Sequence, residues 1–441
     1  HAAGENVFTP YITKDITVSG KTFKIGILGL ENPDCPRWDV PENYPGITFA
    51  TDSTAEVNKY VPLMKDDGCD FIILAYHSGL GTADDNALTF GVNTENQIAR
   101  VIAHTTGIDM VIAGHDHSTG YSNNRYKNAD DSDVLVVNGG GTELTKSVFT
   151  ATRNSDDSIS VTVKSSANLN LTSYVNDEAL KAMIAPYAAA ASDYVEQTVG
   201  TLTGSWDSVT NYYLAHSDTI DLINRAEIAE GSKHIAEKYD TPDKLAALYN
   251  ATDLDHITVD MASTSVVVDG SYKATAGPLT MKDIYKMYKY DNTLYMLPLT
   301  GRQIKDILEY NAENRLSVSI SGGAAHYGTI GDDFTNPVFY GLDFTYDMAK
   351  APSERVVITG FANGNPFDLA KTYVLAVNNY HLGNGPFAAY STDDAIWSQT
   401  DDLGGGTVQD LIADFVADET ADKGGVSPAP SKWSLSYSGS L

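Results

Sequence analysis

Two kinds of apolar pattern alternate along the first third of the chain. Residues 70–76 and 109–113 are short, almost continuous apolar runs, which are typical of strands buried on both faces. Residues 51–67 instead repeat apolar side chains every three or four positions, as one helical face does, and residues 94–104 form a second predicted helix. This alternation predicts a sheet that helices cover on both faces.

Further strands are predicted before and after this region. Residues 15–30 have the pattern of a strand, a Ser-Gly-Lys turn and a second, more apolar strand. Residues 134–138, 147–152 and 159–164 follow as three more strands. These three are able to form a second sheet stacked on the first.

An alanine-rich segment separates the two halves of the chain. Residues 176–197 carry apolar side chains at helical spacing and contain Pro186, so we predict a connecting helix kinked near this proline. The predicted domains are therefore residues 1–172, a connecting helix at residues 173–198, and a second domain at residues 199–441.

The second domain mixes helices and strands. Thr280 and Thr300 each begin a sequence of the capping-box type, which predicts a helix start. Residues 356–360 are expected to pair with residues 372–378 across a tight turn. The chain from about residue 418 onward, with its Gly, Ser and Pro, is expected to be loosely ordered.

The composition is that of a folded, strongly acidic protein. The 441 residues are 42% hydrophobic, which is enough for more than one core. Because 58 Asp and Glu oppose 29 Lys and Arg, the formal charge is −29, and such a surface repels nucleic acid and anionic lipid. No apolar run approaches the roughly 18 residues of a membrane span. We therefore expect no nucleic-acid partner and no membrane span.

Two of the apolar strands end in histidine. His77 follows the first strand, and His115 and His117 follow the second, just after Gly114. Ligands collect beyond the carboxyl ends of strands in α/β sheets, and residues two apart in an extended segment share a face. His115 and His117 are thus expected side by side, and three imidazoles at one edge suit zinc or manganese. Alternatively, each is a surface or hydrogen-bonded histidine without a metal.

Several motifs resemble one known family. Residues 75–79 and 113–117, Ala-Tyr-His-Ser-Gly and Ala-Gly-His-Asp-His, resemble the second half of the calcineurin-like metallophosphoesterase domain of the 5′-nucleotidase family. Residues 288–294, Tyr-x-Tyr-x-Asn-Thr-Leu, and residues 378–380, Asn-Asn-Tyr, resemble its C-terminal domain in the bacterial 2′,3′-cyclic-nucleotide 2′-phosphodiesterase/3′-nucleotidase branch.

The resemblance covers nearly the whole chain and implies a mixed fold. This fold is α/β and α+β, with a partial calcineurin-like metallophosphoesterase β-sandwich and flanking helices. A connecting helix and a 5′-nucleotidase C-terminal-type domain would follow.

The same resemblance implies a two-metal phosphoesterase in the intact protein. Two divalent ions such as Mn²⁺, Zn²⁺ or Co²⁺ would bind the phosphate oxygens and activate a water. By similarity, His77 and His115 would hold one ion and His117 the other. Metal would also offset the repulsion between an anionic nucleotide and a chain of charge −29.

A base-binding clamp is the second implied site. By similarity, the rings of Tyr290 and Tyr380 would sandwich a purine or pyrimidine, with Asn292 and Asn379 as candidate polar contacts. Stacking of this kind tolerates any base, which suits nucleotide scavenging. Since the chain has 26 tyrosines, the alternative is that each one is a half-buried core residue.

One departure from the family pattern bears on activity. The family's Asp-x-His and Gly-Asn-His motifs, which supply the remaining metal ligands and the catalytic histidine, do not occur in this sequence. No catalytic residue can therefore be assigned, and we expect an inactive fragment that lacks the first part of its metallophosphoesterase domain. It would bind one metal ion or none.

The expected function is metal-dependent hydrolysis of nucleoside 3′-phosphates and 2′,3′-cyclic nucleotides by an exported, monomeric protein. A 5′-nucleotidase or nucleotide-sugar hydrolase is one alternative, although residues 259–265 lack the Asn-Gly-Gly-x-x-Arg stretch of that branch. A non-catalytic nucleoside-binding surface protein is another.

Overall fold

The structure is a computed structural model that divides into two compact units, His1–Met183 and Ile184–Leu441. It describes residues 8–18, 20–39, 43–84, 86–88, 94–117, 120–209, 211–238, 261–264, 272–330, 336–402 and 406–440. The domain boundaries expected from the sequence stay predictions.

The first unit contains eight described strands and three described helices. The strands are β1 (Tyr11–Val18), β2 (Lys21–Leu30), β3 (Phe71–Tyr76), β4 (Met110–Ile112), β5 (Tyr121–Lys127), β6 (Asp133–Asn138), β7 (Glu143–Arg153) and β8 (Ile159–Asn170). The helices are α1 (Cys35–Trp38), α2 (Ser53–Asp66) and α3 (Ile98–Ala103).

Six of these strands form one sheet, in the order β1-β2-β3-β4-β6-β5. Strands β2, β3, β4 and β6 run parallel, so their carboxyl ends meet at one edge. The predicted strand–turn–strand at residues 15–30 is confirmed as the antiparallel pair β1–β2. Strand β6 belongs to this sheet and not to a second one.

The two faces of this sheet are covered by different elements. Helices α2 and α3 pack on one face, where Val57, Met64 and Ile102 meet Leu74 and other strand residues. The hairpin of β7 and β8 packs on the other face. The stacked second layer is therefore confirmed, whereas the prediction of helices on both faces was wrong. Buried apolar runs show that both faces are covered, but not by which element.

A helix lies where the sequence predicted the connecting segment. Helix α4 (Glu178–Val195) contains Pro186, and none of its residues is buried. The predicted kink at the proline stays a prediction.

The second unit contains the remaining described elements. The strands are β9 (Thr198–Leu202), β10 (Met261–Thr264), β11 (Gly277–Thr280), β12 (Leu294–Thr300), β13 (Leu316–Ser321), β14 (Ala324–Thr329), β15 (Val338–Tyr340), β16 (Leu342–Asp347), β17 (Val356–Phe361), β18 (Thr372–Asn378), β19 (Trp397–Ser398) and β20 (Ser434–Ser436). The helices are α5 (Asp218–Lys238), α6 (Met281–Met287), α7 (Gly301–Asn314), α8 (Gln399–Asp402) and α9 (Val408–Lys423).

A five-stranded sheet, β15-β10-β18-β12-β19, lies at the centre of this unit. Along β18, Val374 and Ala376 belong to one core, together with side chains of α5 and α9. Leu375 and Val377 belong to the opposite core, together with side chains of α7. Alternating burial on two sides explains why this strand is apolar at every position from Tyr373 to Val377.

The predicted pairing of residues 356–360 with residues 372–378 was wrong. Strand β17 pairs with β16, and β18 pairs with β12 and β10. Strand β18 is buried on both faces and lies in the middle of the central sheet, so both of its edges are already paired, with β10 and β12. The turn-like sequence between β17 and β18 therefore does not make them a hairpin.

The C-terminal segment is ordered, contrary to the prediction. Helix α9 ends at the left-handed Gly424, and β20 then pairs in parallel with β16. Trp433 is only 7% exposed and stacks on Phe344, with the ring centroids 6.1 Å apart. This indole anchors a segment whose composition suggested a loose tail.

Local helix signals were read correctly. Both predicted capping boxes are present, at Thr280 before α6 and at Thr300 before α7.

In the described part of the chain, no helix combines the length and apolarity needed to cross a membrane. Cys35 and Cys69 are both free thiols.

Candidate functional site

The carboxyl edge of the first sheet carries the predicted histidines. His77 directly follows β3, and Gly114 and His115 follow β4. Because β3 and β4 are parallel neighbours, with Ala75 opposite Ile112, their trailing loops leave the sheet at the same place. The sequence pattern of strand followed by histidine thus gave the correct edge.

The structure brings His77 and His115 together. Their ring centroids lie 5.4 Å apart in an edge-to-face arrangement. Gly114 lies against the His77 ring, since a Cβ placed on this glycine would be 3.4 Å from His77 Nδ1. This is an ordinary van der Waals distance, so Gly114 packs beside the His77 ring but the contact does not by itself require a glycine.

Glu95 is a member of this site that sequence reasoning missed. Its Oε1 lies 2.7 Å from His115 Nε2. The Glu95 carbonyl accepts hydrogen bonds from the buried Asn32 side chain, at 2.9 Å, and from Ser78 Oγ, at 3.0 Å. The sequence placed Glu95 inside a helix at residues 94–104, but that helix begins only at Ile98, so Glu95 precedes it.

His117 departs from the expected geometry. The prediction placed His115 and His117 side by side on an extended strand, but β4 ends at Ile112. His115 has φ 67° and His117 has φ 45°, both in the left-handed region, and the His117 side chain is exposed. The extended backbone that the prediction assumed was therefore wrong, and the rule that residues two apart share a face does not apply here. The placement of His117 beside His115 stays a prediction. Non-glycine residues seldom adopt a left-handed backbone, and the few that do are concentrated near functional sites. Two of them lie within the three residues from His115 to His117.

The donor set at this edge matches one part of a metal site. A metal-bound histidine usually offers one of its ring nitrogens to a carboxylate, and the contact of His115 Nε2 with Glu95 is of this kind. His77 supplies a second imidazole beside it. Within the described ranges, His77, His115 and His117 do not belong to any group of three ligand atoms within 4.8 Å of one another. These residues therefore fit part of the ligand set of one ion.

The second predicted site lies at one end of the central sheet of the second unit. Strands β12 and β18 are antiparallel, with Leu294 opposite Asn378, so the loop before β12 meets the loop after β18. Tyr290 is on the first of these loops and Tyr380 is on the second. Tyr290 is 44% exposed, and Tyr380 is half-buried.

The two predicted asparagines join these loops internally. Thr293 N–H donates to Asn379 Oδ1 at 3.1 Å, and Asn379 N–H donates back to the Thr293 carbonyl at 3.0 Å. The amide of Asn292, which is 6% exposed, donates to the hydroxyl of the fully buried Tyr288 at 3.0 Å. Asn292 and Asn379 thus hold the loops in place.

Three further residues hold these loops and were missed from the sequence. Asn378 donates to the Tyr288 hydroxyl at 2.9 Å. Gln409 donates to the Tyr290 carbonyl at 2.7 Å, and Asn384 donates to the Tyr380 carbonyl at 2.7 Å. Asn378 is the first residue of the Asn-Asn-Tyr motif, although it was not predicted as a site residue. No sequence signal linked Gln409 to a loop 119 residues away.

The family comparison concerns this second unit. Residues 199–392 match the family model described as the 5′-nucleotidase, C-terminal domain. The chain carries a 5′-nucleotidase C-terminal domain. Both Tyr290 and Tyr380 lie within it.

Relatives resemble more of the chain than this domain alone. A 2′,3′-cyclic-nucleotide 2′-phosphodiesterase/3′-nucleotidase from Haemophilus influenzae is 25% identical over 97% of this chain, which spans 67% of that protein. A protein of the same name from Salmonella typhimurium is 24% identical over 97% of this chain. The chain spans only 28% of the trifunctional nucleotide phosphoesterase YfkN of Bacillus subtilis, with 24% identity.

Solved structures show the same fold. A protein from Staphylococcus aureus assigned as a 5′-nucleotidase matches 96% of this chain with a TM-score of 0.63 and 20% identity, and 74% of that chain is covered. A 5′-nucleotidase precursor from Thermus thermophilus matches 99% of this chain with a TM-score of 0.52 and 17% identity, over 77% of that chain. The predicted mixed fold with its 5′-nucleotidase C-terminal-type domain is thus confirmed.

Proposed function

We propose that this chain belongs to an exported, metal-dependent phosphohydrolase of nucleoside 3′-phosphates and 2′,3′-cyclic nucleotides. The observation that carries the proposal is the pair of tyrosine loops in the 5′-nucleotidase C-terminal domain, which the reciprocal hydrogen bonds between Thr293 and Asn379 hold together. The names of the relatives from Haemophilus and Salmonella support the substrate class.

Tyr290 and Tyr380 would bind the base of the nucleotide by stacking. The polar groups of Asn292 and Asn379 are used to fix the loops, so we propose that they position the tyrosines and do not read the base. Rings on a rigid frame lose little freedom when a base binds. Stacking alone is indifferent to base identity, so recognition would be broad.

His77 and His115 would hold one divalent ion, with Glu95 orienting His115. Such an ion binds phosphate oxygens and lowers the pKa of a bound water. His117 remains a proposed ligand for a second ion. Because Asp-x-His and Gly-Asn-His do not occur in this sequence, we propose that this chain alone does not hydrolyse nucleotides.

Removal of either clamp ring tests this proposal. Tyr290→Ala and Tyr380→Ala are each expected to weaken binding of adenosine and adenosine 3′-phosphate by about 1–3 kcal/mol, roughly 5- to 150-fold. Isothermal titration calorimetry of the whole chain measures both ligands, with and without Mn²⁺. The base contribution is expected to persist without metal, because the tyrosines lie outside the histidine site.

Tyr187→Ala is the matched control, since Tyr187 is 77% exposed on α4 and outside both loops. It should leave both affinities unchanged. No binding by wild-type chain with a native circular-dichroism spectrum would contradict the clamp. Tighter binding of adenosine 5′-phosphate than of the 3′-phosphate would instead favour a 5′-nucleotidase.

A further inference from the structure

Three ligand-type side chains converge where α5 begins, in the 5′-nucleotidase C-terminal domain. The ligand atoms of Asp207, His216 and Asp218 all lie within 4.8 Å of one another. His216 Nε2 is 3.9 Å from Asp207 Oδ2. This is the one such group of three among the residues that the structure describes.

Backbone amides hold the two carboxylates in place. Asp218 N–H donates to Asp207 Oδ2 at 2.8 Å, and Asp207 N–H donates to Asp218 Oδ2 at 2.7 Å. Val209 N–H donates to Asp207 Oδ1 at 2.9 Å. The first of these bonds caps an amide at the start of α5, and the other two satisfy amides of the preceding loop. These backbone contacts alone would account for both aspartates. They do not account for the imidazole of His216, nor for a third buried carboxylate nearby.

Asp221 is that third carboxylate. It is 1% exposed, and it follows Asp218 by three positions on α5, so both project from the same face of the first turn. Ser431 N–H donates to Asp221 Oδ2 at 2.7 Å, whereas Oδ1 is buried without a hydrogen-bond partner among the described residues. Burial is the main reason that the Asp221 pKa is raised to about 7, and the negative charges of Asp218 and Asp207 add to the increase.

A buried carboxylate oxygen without a partner is costly, and like charges beside it increase the cost. A cation between Asp207 and Asp218 would reduce the repulsion among the carboxylates of Asp207, Asp218 and Asp221. His216 would be the third ligand of such an ion, and an imidazole nitrogen favours transition metals over Ca²⁺ or Mg²⁺.

We propose that Asp207, His216 and Asp218 bind a divalent transition metal ion such as Zn²⁺ or Mn²⁺. Zinc ligands lie about 2.0–2.2 Å from the metal, which separates neighbouring ligand atoms by roughly 3.3–3.6 Å in a tetrahedral site. The 3.9 Å between His216 Nε2 and Asp207 Oδ2 therefore has to close by only a few tenths of an ångström. The His216 side chain is 41% exposed, so a metal ion can reach it from solvent. This site is separate from the proposed phosphohydrolase function and would fasten Asp207 and His216, which precede α5, to Asp218 in its first turn.

Stoichiometric metal binding tests the proposal on the whole chain. After removal of metal with a chelator, Zn²⁺ and, separately, Mn²⁺ are titrated into wild type, His216→Ala and Asp218→Asn. The asparagine keeps an oxygen for Asp207 N–H, so this variant should fold even if the alanine variant does not. Each variant is expected to bind one equivalent at least tenfold more weakly and to lose part of the metal-induced rise in melting temperature.

Two histidine controls separate this site from the proposed phosphoesterase site. His326→Ala removes an exposed histidine on β14 and should change nothing. His115→Ala should not change the binding of the one metal equivalent that depends on His216. This expectation holds whether or not the tyrosine clamp and the His77–His115 site behave as proposed. Identical affinity and stoichiometry for both metals in wild type, His216→Ala and Asp218→Asn would overturn the proposal, as would no uptake by wild type.

Discussion

Glu309→Ala is expected to lower the free energy of unfolding of the second unit by about 3–5 kcal/mol, because it removes a buried carboxylate whose two oxygens both accept hydrogen bonds. Glu309 lies on α7 and is 4% exposed. Its Oε1 accepts Val356 N–H at 2.9 Å and Lys305 Nζ at 2.8 Å, and its Oε2 accepts Arg355 N–H at 3.0 Å. One side chain thus joins α7 to the start of β17.

The alanine variant would leave two backbone amides and one ammonium without their acceptor, in a region with little access to water. Urea unfolding followed by tryptophan fluorescence measures the loss, since Trp206, Trp397 and Trp433 all lie in the second unit. Glu309→Gln keeps one oxygen acceptor and is expected to cost about 1–2 kcal/mol, between wild type and alanine.

Glu354→Ala is the matched control for Glu309→Ala. Glu354 is exposed and lies next to the amides that Glu309 binds. A surface substitution of this kind should change the free energy of unfolding by less than about 0.5 kcal/mol. Equal losses in Glu309→Ala and Glu354→Ala would show that the buried carboxylate adds no more than an exposed one.

Glu309 also shows where sequence reasoning about the fold stops. The helix that carries it was foreseen from the capping box at Thr300, which involves residues only three positions apart. The partners of Glu309 on β17 lie 46 and 47 residues away, and no local pattern encodes such a contact. The same limit explains the wrong pairing of β17, because neighbours in a sheet are chosen by burial across the whole unit.

The residues of the candidate sites were likewise predictable only where a local sequence pattern encodes them. His77 and His115 were found because each follows an apolar strand, and parallel strands deliver their ends to one edge. Glu95 was missed because its contact with His115 crosses 20 residues through an irregular segment. The backbone at His115 and His117 was predicted as extended because its left-handed conformation cannot be inferred from residue types that seldom adopt it.

His381 should make the second unit lose stability in mild acid. The residue follows Tyr380 directly, is fully buried, and stacks on Phe387 with ring centroids 5.3 Å apart. Neither ring nitrogen has a hydrogen-bond partner in the described part of the chain. Burial lowers the pKa of His381 from 6.5 to about 3.

The sign follows from proton linkage. The unfolded chain takes up a proton near pH 6.5, and the folded chain does so only near pH 3. The contribution of His381 to stability is therefore fully present above pH 6.5 and is lost as the pH falls from 6.5 towards 3. Between pH 7.5 and pH 4.5 this group alone should remove about 2–3 kcal/mol from the free energy of unfolding.

His381→Phe separates this effect from the titration of the many carboxylates. Phenylalanine keeps an aromatic ring against Phe387 but cannot take up a proton. Urea midpoints at pH 7.5 and pH 4.5 should differ less for His381→Phe than for wild type, by the equivalent of about 2–3 kcal/mol. His326→Phe, at an exposed position on β14, should retain the full wild-type difference. If His381→Phe retains it too, the imidazole of His381 reaches water or an acceptor in the folded protein, and the acid sensitivity originates in other groups.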